Sequence, residues 1–200
     1  ATPGVAQNTL NAGTDTLTSI ENLLGSDFND TLTGDAGANK LEGGLGNDTL
    51  NGGLGNDSLD GGLGTDTASY AGAAAGVTVT LASSAAQNTV NAGLDTLIGI
   101  ENLTGSSFND ALTGNTGANL LQGGVGNDTL NGGLGNDSLD GGAGTDTASY
   151  AGATAGVTVT LASSASQNTV NAGLDTLISI ENLIGSGFND ALTGSTGANL

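Results

Sequence analysis

The sequence contains no cysteine, histidine, methionine or tryptophan. Disulfides, thiol nucleophiles, imidazole bases and zinc sites built on His or Cys are therefore excluded. Aromatic residues make up 2% of the 200 residues, so there is little bulk for a single globular core. One basic residue, Lys40, stands against twenty acids, and the net charge is −19. Such a chain repels nucleic acid and anionic membranes, and its natural counter-partner is a cation. No apolar run reaches the length of a membrane span, and the first residues show no basic n-region or apolar h-region. The single proline, Pro3, and the scattered glycines leave no credible long helix.

What is present is repetition on two periods. Residues 11–90 recur as 91–170 with 66 of 80 positions identical, and the pattern restarts at 171. Ala6-Gln-Asn-Thr9 resembles Ala86-Gln-Asn-Thr89, and the sequence stops inside a repeat at Leu200. It reads as a window on a longer array, with any targeting signal expected outside it. Within each long repeat runs a nine-residue unit. Gly43 to Asn51 reads Gly-Gly-Leu-Gly-Asn-Asp-Thr-Leu-Asn, and Gly52 and Gly61 open two further copies. Counting back in register adds units at Gly34 and Gly25. The predicted organisation is 1–24, the end of a preceding module and its connector; 25–69, a first array; 70–104, a β connector; 105–149, a second array; 150–184, a second connector; and 185–200, the start of a third array. A strict short period is the signature of a solenoid, whose stability is built from neighbour contacts and not from one core.

Glycine accounts for 37 of 200 residues, and with the high charge this is the composition of a disordered chain. That is the expectation for the ion-free state. Leu32, Leu41, Leu50 and Leu59, spaced by nine, mark an interior face that disorder does not require. The glycines permit tight turns. The following x-Asp-x-Leu-x forms a short strand with its eighth position inward and its seventh and ninth toward water. Two units close one coil of eighteen residues, so alternate units stack at the strand spacing of about 4.8 Å. Aspartates at the sixth position then face one another. Two carboxylates about 5 Å apart repel by roughly 1 kcal/mol in water, and by more in a shielded groove. A cation between them removes the conflict. With only oxygen ligands on offer and six or more of them, the pattern favours Ca2+ over Mg2+.

The stretch 43–69 resembles the hemolysin-type calcium-binding repeats, the RTX nonapeptides, written Gly-Gly-x-Gly-x-Asp-x-(large apolar)-x. Every defined position is met in 43–51, 52–60, 123–131 and 132–140; units 61–69 and 141–149 depart only at Ala68 and Ala148. The resemblance implies an all-β, right-handed parallel β-roll (a β-solenoid) with several Ca2+ ions in its turns. It implies as ligands the sixth-position residues Asp30, Asn39, Asp48, Asp57 and Asp66, then Asp110, Asn119, Asp128, Asp137, Asp146 and Asp190. Glycine-turn carbonyls complete the sites: Gly43, Gly44, Gly46, Gly52, Gly53, Gly55, Gly61, Gly62 and Gly64 in the first array, and Gly123, Gly124, Gly126, Gly132, Gly133, Gly135, Gly141, Gly142 and Gly144 in the second. The implied pairs are Asp30 with Asp48, Asp48 with Asp66 and Asn39 with Asp57, and likewise Asp110 with Asp128, Asp128 with Asp146 and Asn119 with Asp137. The uncharged Asn39 and Asn119 are expected to bind more weakly. Phe28 and Phe108 replace a glycine of the motif, so their loops are expected to present different carbonyls.

Outside the arrays, Asp15, Asp95 and Asp175 are candidate ligands of worn loops or turn caps, with the cap the favoured reading, and Tyr70 and Tyr150 read as covers over a coil. Glu21, Glu101 and Glu181, each nine residues before the first aspartate of an array, could equally reach an end site or sit in a solvated turn. Lys40 reads as a solitary solvated charge. Functionally, the pattern suggests a non-enzymatic, calcium-folded segment of a secreted bacterial protein exported by type I secretion. An adhesin, a surface layer or a filament of self-associating copies would each use such a segment. The alternative is the RTX tail of a secreted protease or lipase, although neither HExxH nor GxSxG occurs. Ice binding would need an outward Thr/Asx row, and the leucines at the third position argue against it.

Overall fold

Leucine at every ninth residue builds the interior. Leu41 and Leu50 are fully buried and Leu59 is 1% exposed, while Thr49 and Asn51 beside Leu50 are half-buried. The computed structural model describes residues 6–8, 14–17, 19–90, 92–169 and 172–199. Among them the regular structure is all strand, with no helix, and hence no helix long and apolar enough to cross a membrane. One leucine per nine ordered residues is a thin core. Each contributes about 2–3 kcal/mol on burial, against the cost of ordering a glycine-rich backbone.

The strands stack in parallel with partners eighteen residues apart. Lys40–Leu45 lies on Ser58–Leu63 with Leu41 opposite Leu59, and Thr31–Thr33 lies on Thr49–Asn51 with Leu32 opposite Leu50. Identical positions of alternate units therefore face each other, and the leucines form a continuous inner file. A five-stranded sheet runs in the order Gln87–Asn88, Leu94–Ile98, Ser58–Leu63, Lys40–Leu45, Asn22–Leu24. Its first pair is antiparallel, so the connector folds back as a hairpin that closes this row.

The neighbouring row does not close at the end of the first array. An eight-stranded sheet begins with Thr31–Thr33, Thr49–Asn51 and Thr67–Ser69 of the first array and passes through the connector strand Asn102–Thr104. It continues with Leu120–Val125 and Ser138–Ala143 of the second array. It ends on Leu174–Ile178 and the antiparallel Gln167–Asn168. A new row starts at Thr78–Thr80, which carries Ala111–Thr113, Thr129–Asn131, Thr147–Ser149 and Asn182–Ile184. Each connector thus caps one row, extends a second and opens a third.

Candidate metal centre

The sixth residue of each unit enters its strand with its carboxylate turned inward along the stack. Asp48, Asp57, Asp66, Asp128, Asp137 and Asp146 are all 0–2% exposed. In each, Oδ1 accepts a backbone amide from the coil below. Asp48 Oδ1 takes the Asp30 amide at 2.8 Å and Asp66 Oδ1 the Asp48 amide at 2.7 Å. Asp57 Oδ1 takes the Asn39 amide at 2.8 Å. The second array repeats this: Asp128 with Asp110 at 2.8 Å, Asp146 with Asp128 at 2.8 Å, and Asp137 with Asn119 at 2.9 Å. The expected partners are thus hydrogen-bonded to one another, Asp30, Asp48 and Asp66 in one row and Asn39 and Asp57 in another, and the second array likewise has Asp110, Asp128 and Asp146 in one row and Asn119 and Asp137 in another.

The second oxygen decides the chemistry. Oδ2 of those six aspartates is buried and has no hydrogen-bond partner. A buried carboxylate left unpaired costs several kcal/mol unless a proton or a cation joins it. Around each orphan the first glycine of the unit leaves a cradle. A methyl group on Gly43 would strike both Asp48 Oδ2 and the Gly61 carbonyl oxygen of the next coil. Gly61 relates in the same way to Asp66 Oδ2 and the Gly99 carbonyl, Gly123 to Asp128 Oδ2 and the Gly141 carbonyl, and Gly141 to Asp146 Oδ2 and the Ser179 carbonyl. Gly52 and Gly132 face Asp57 Oδ2 and Asp137 Oδ2. Carboxylate and carbonyl oxygens therefore line a common space, a donor set suited to a hard cation. Among the described residues no three acidic side chains converge, so carbonyls must supply most of any coordination shell. The fourth-position glycines, such as Gly64, sit against the previous coil with no room for a side chain; in that role they pack the loops together.

Burial, the largest cause, pushes the carboxyls upward: Asp57 and Asp128 to about 6, and Asp137 to about 7. Asp66 and Asp146 are raised for the same reason, with neighbouring carboxylates adding to it.

The other expected ligands are engaged by the protein itself. Asp110 accepts the Ser106 amide at 2.6 Å, the Ser106 hydroxyl at 2.9 Å and the Val77 amide at 2.7 Å. Asp30 accepts the amide and hydroxyl of Ser26, and Asp190 those of Ser186. Asn39 Oδ1 accepts the Asp35 amide at 2.7 Å and Asn119 Oδ1 the Asn115 amide at 2.8 Å. The Asn119 side-chain amide also donates to the Glu101 carbonyl at 2.7 Å.

Several readings of single residues change. Asp95 is 1% exposed and is a ladder rung, not a turn cap: Oδ1 accepts the Asp57 amide at 3.0 Å, and Oδ2 accepts the Tyr70 and Thr89 hydroxyls. Asp175, Tyr150 and Thr169 repeat it. Burial and the adjacent Asp95 hold the Tyr70 phenol protonated well above its ordinary range. Glu101 Oε2 accepts the Asp66 amide at 2.9 Å, so glutamate completes the ladder at the end of the array. Lys40 is not solitary; it meets Glu42 at 2.6 Å in an exposed pair of little energetic weight. The side chain of Asp15 lies outside the described residues.

Fifth-position asparagines form a second, outer ladder. Asn29 Oδ1 accepts the Asn47 amide at 2.8 Å and Asn47 Oδ1 the Thr65 amide at 3.0 Å. The signal in the sequence was the recurrence of Asn before most of the sixth-position aspartates, as at Asn29, Asn47, Asn56, Asn109, Asn127 and Asn136.

The sequence matches the RTX calcium-binding nonapeptide repeat family four times, over residues 11–50, 33–68, 95–128 and 113–148. No curated protein matches it. Among solved structures, the extracellular lipase LipA from Serratia marcescens aligns at 21% identity over 95% of this chain, with a TM-score of 0.31. The chain spans about a third of that lipase, 35% of its length.

Proposed function

Because this chain belongs to the RTX calcium-binding nonapeptide repeat family, we propose that it is a calcium-folded structural segment of a secreted protein, coiled as a right-handed β-roll of eighteen residues per turn. The observation that carries the reading is the set of buried, partnerless Oδ2 atoms on Asp48, Asp57, Asp66, Asp128, Asp137 and Asp146. These six lie in the units that open Gly-Gly-x-Gly. Ca2+ would be held by these carboxylates and by glycine-turn carbonyls such as those of Gly61 and Gly141. It supplies positive charge to oxygens that water cannot reach.

The consequence is a folding switch. Where calcium is scarce, as inside a cell, the acidic chain stays open. At millimolar calcium outside, each site with a dissociation constant near 10⁻⁴ M adds roughly 1 kcal/mol, and the sites sum along the stack. Rows that pass from one array into the next suit a long uniform rod, as in an adhesin stalk, a surface layer or a filament. The segment itself carries no catalytic constellation in this reading.

Circular dichroism of chelator-stripped protein, titrated with Ca2+ and separately with Mg2+, tests it. Calcium is expected to convert a coil spectrum to a β spectrum, with reversal by chelator and no equivalent change with magnesium. A β spectrum already complete in chelator would refute the reading.

A further inference from the structure

We propose that the second residue of each nonapeptide decides whether that rung takes an ion, so that this chain holds six ions and closes the rungs at Asp30, Asn39, Asp110, Asn119 and Asp190 with its own backbone amides. The inference rests on the calcium reading above and gives the second glycine of the motif a stated physical role, as the residue that leaves the sixth-position carboxylate open or closed.

Two groups separate cleanly. In six units the second residue is glycine with positive φ: Gly44, Gly53, Gly62, Gly124, Gly133 and Gly142, at 92° to 112°. These are the units whose aspartate Oδ2 is buried without a partner. In five others the second residue is Ser26, Asp35, Ser106, Asn115 or Ser186, none with positive φ. There the second-residue amide donates to the sixth-position side chain of its own unit, at 2.5 Å to Asp30, 2.7 Å to Asn39, 2.6 Å to Asp110, 2.8 Å to Asn119 and 2.8 Å to Asp190.

The cause is backbone geometry. A residue with a side chain avoids positive φ, and with φ negative its amide turns toward the carboxylate. Glycine at positive φ turns the same amide away, so the acceptor it would have filled is left for a cation. Serine strengthens the closed form, because its hydroxyl adds a second donor, as in Ser106 to Asp110 at 2.9 Å. Asparagine at the sixth position goes further and removes the charge. Closed rungs therefore frame each group of ion-binding rungs: Ser26 and Asp35 precede the first group, Ser106 and Asn115 the second.

The test is ion stoichiometry on the full chain, by calorimetric titration with Ca2+ and by equilibrium dialysis of the same metal. Wild type is expected to bind six ions. The double variant Ser106→Gly/Phe108→Gly, which restores Gly-Gly-x-Gly before Asp110, is expected to bind seven. Gly124→Ser is expected to lose one; because a side chain there meets the Ser26-equivalent carbonyl of Ser106, folding is checked by the β spectrum. Amide exchange in the calcium-loaded wild type gives a measure independent of variants, with the Ser106 amide slowly exchanging. Eight or more ions in wild type, or six in the double variant, would overturn the role of the second residue while leaving calcium binding intact. No ions at all would overturn the calcium reading itself.

Discussion

Asp48 and Asp66 are joined without touching through their charges: the Asp48 amide donates to Asp66 Oδ1 at 2.7 Å, while Oδ2 of each stays buried and unpartnered. One oxygen fixes the rung spacing and the other is held ready. On the proposed reading this division of labour makes the fold of an acidic, glycine-rich sequence conditional on a cation, and it sets the following expectations.

Gly43 needs no special φ, so alanine is conformationally acceptable there. Its methyl group would nevertheless occupy the cradle between Asp48 Oδ2 and the Gly61 carbonyl. Gly43→Ala is expected to remove one calcium from the titration and to raise the folding midpoint several-fold. Gly37→Ala, where an added methyl group meets only the half-buried Asp35 side chain, is expected to change neither.

Acid should substitute for calcium in part. Asp57 and Asp128 rise from 3.8 to about 6 and Asp137 to about 7, mainly through burial. A carboxyl with a higher pKa in the folded state stabilises the fold when protonated. That contribution is full below 3.8 and is lost as pH climbs through 6 to 7. Metal-free protein is therefore expected to show more β structure at pH 5 than at pH 7.5. Protons compete for the same oxygens, so the calcium midpoint should rise roughly tenfold between pH 7.5 and 5.5. Circular dichroism at both pH values reads both effects.

Tyr70→Phe removes a hydroxyl donor from Asp95, which keeps Thr89. Leaving a buried acceptor short costs about 1–3 kcal/mol. The calcium-loaded melting temperature should fall by several degrees with the ion count unchanged, which separates a closing rung from an ion-binding one.

Leu50→Ala removes a fully buried side chain and is expected to cost about 2–5 kcal/mol in denaturant unfolding of the loaded protein. Leu63→Ala should cost less than about 0.5 kcal/mol. Leu63 is 71% exposed, and the second array has Ala143 at the same place.

The inner file was legible in the sequence because it is periodic: Leu41, Leu50 and Leu59 follow from counting by nine. The inward aspartates followed from the same count together with electrostatics. What the count could not supply lies where register is set by contacts between distant residues. Asp95 meets Tyr70 twenty-five residues away, and Asp66 meets Glu101 thirty-five away. The shift of a row from Thr67–Ser69 to Asn102–Thr104 depends on the length of the connector, not on any repeat within it. The bonds from Ser106 to Asp110 are hidden from the sequence for another reason. Ser106 looks like a minor departure from the motif, yet its backbone conformation changes which acceptor its amide reaches.

The most direct test is a calcium anomalous difference map from crystals grown with Ca2+. The account predicts a peak against Oδ2 of each of Asp48, Asp57, Asp66, Asp128, Asp137 and Asp146, and none at Asp30, Asp110 or Asp190. Ordered strands with no calcium at Asp48 and Asp66 would contradict it.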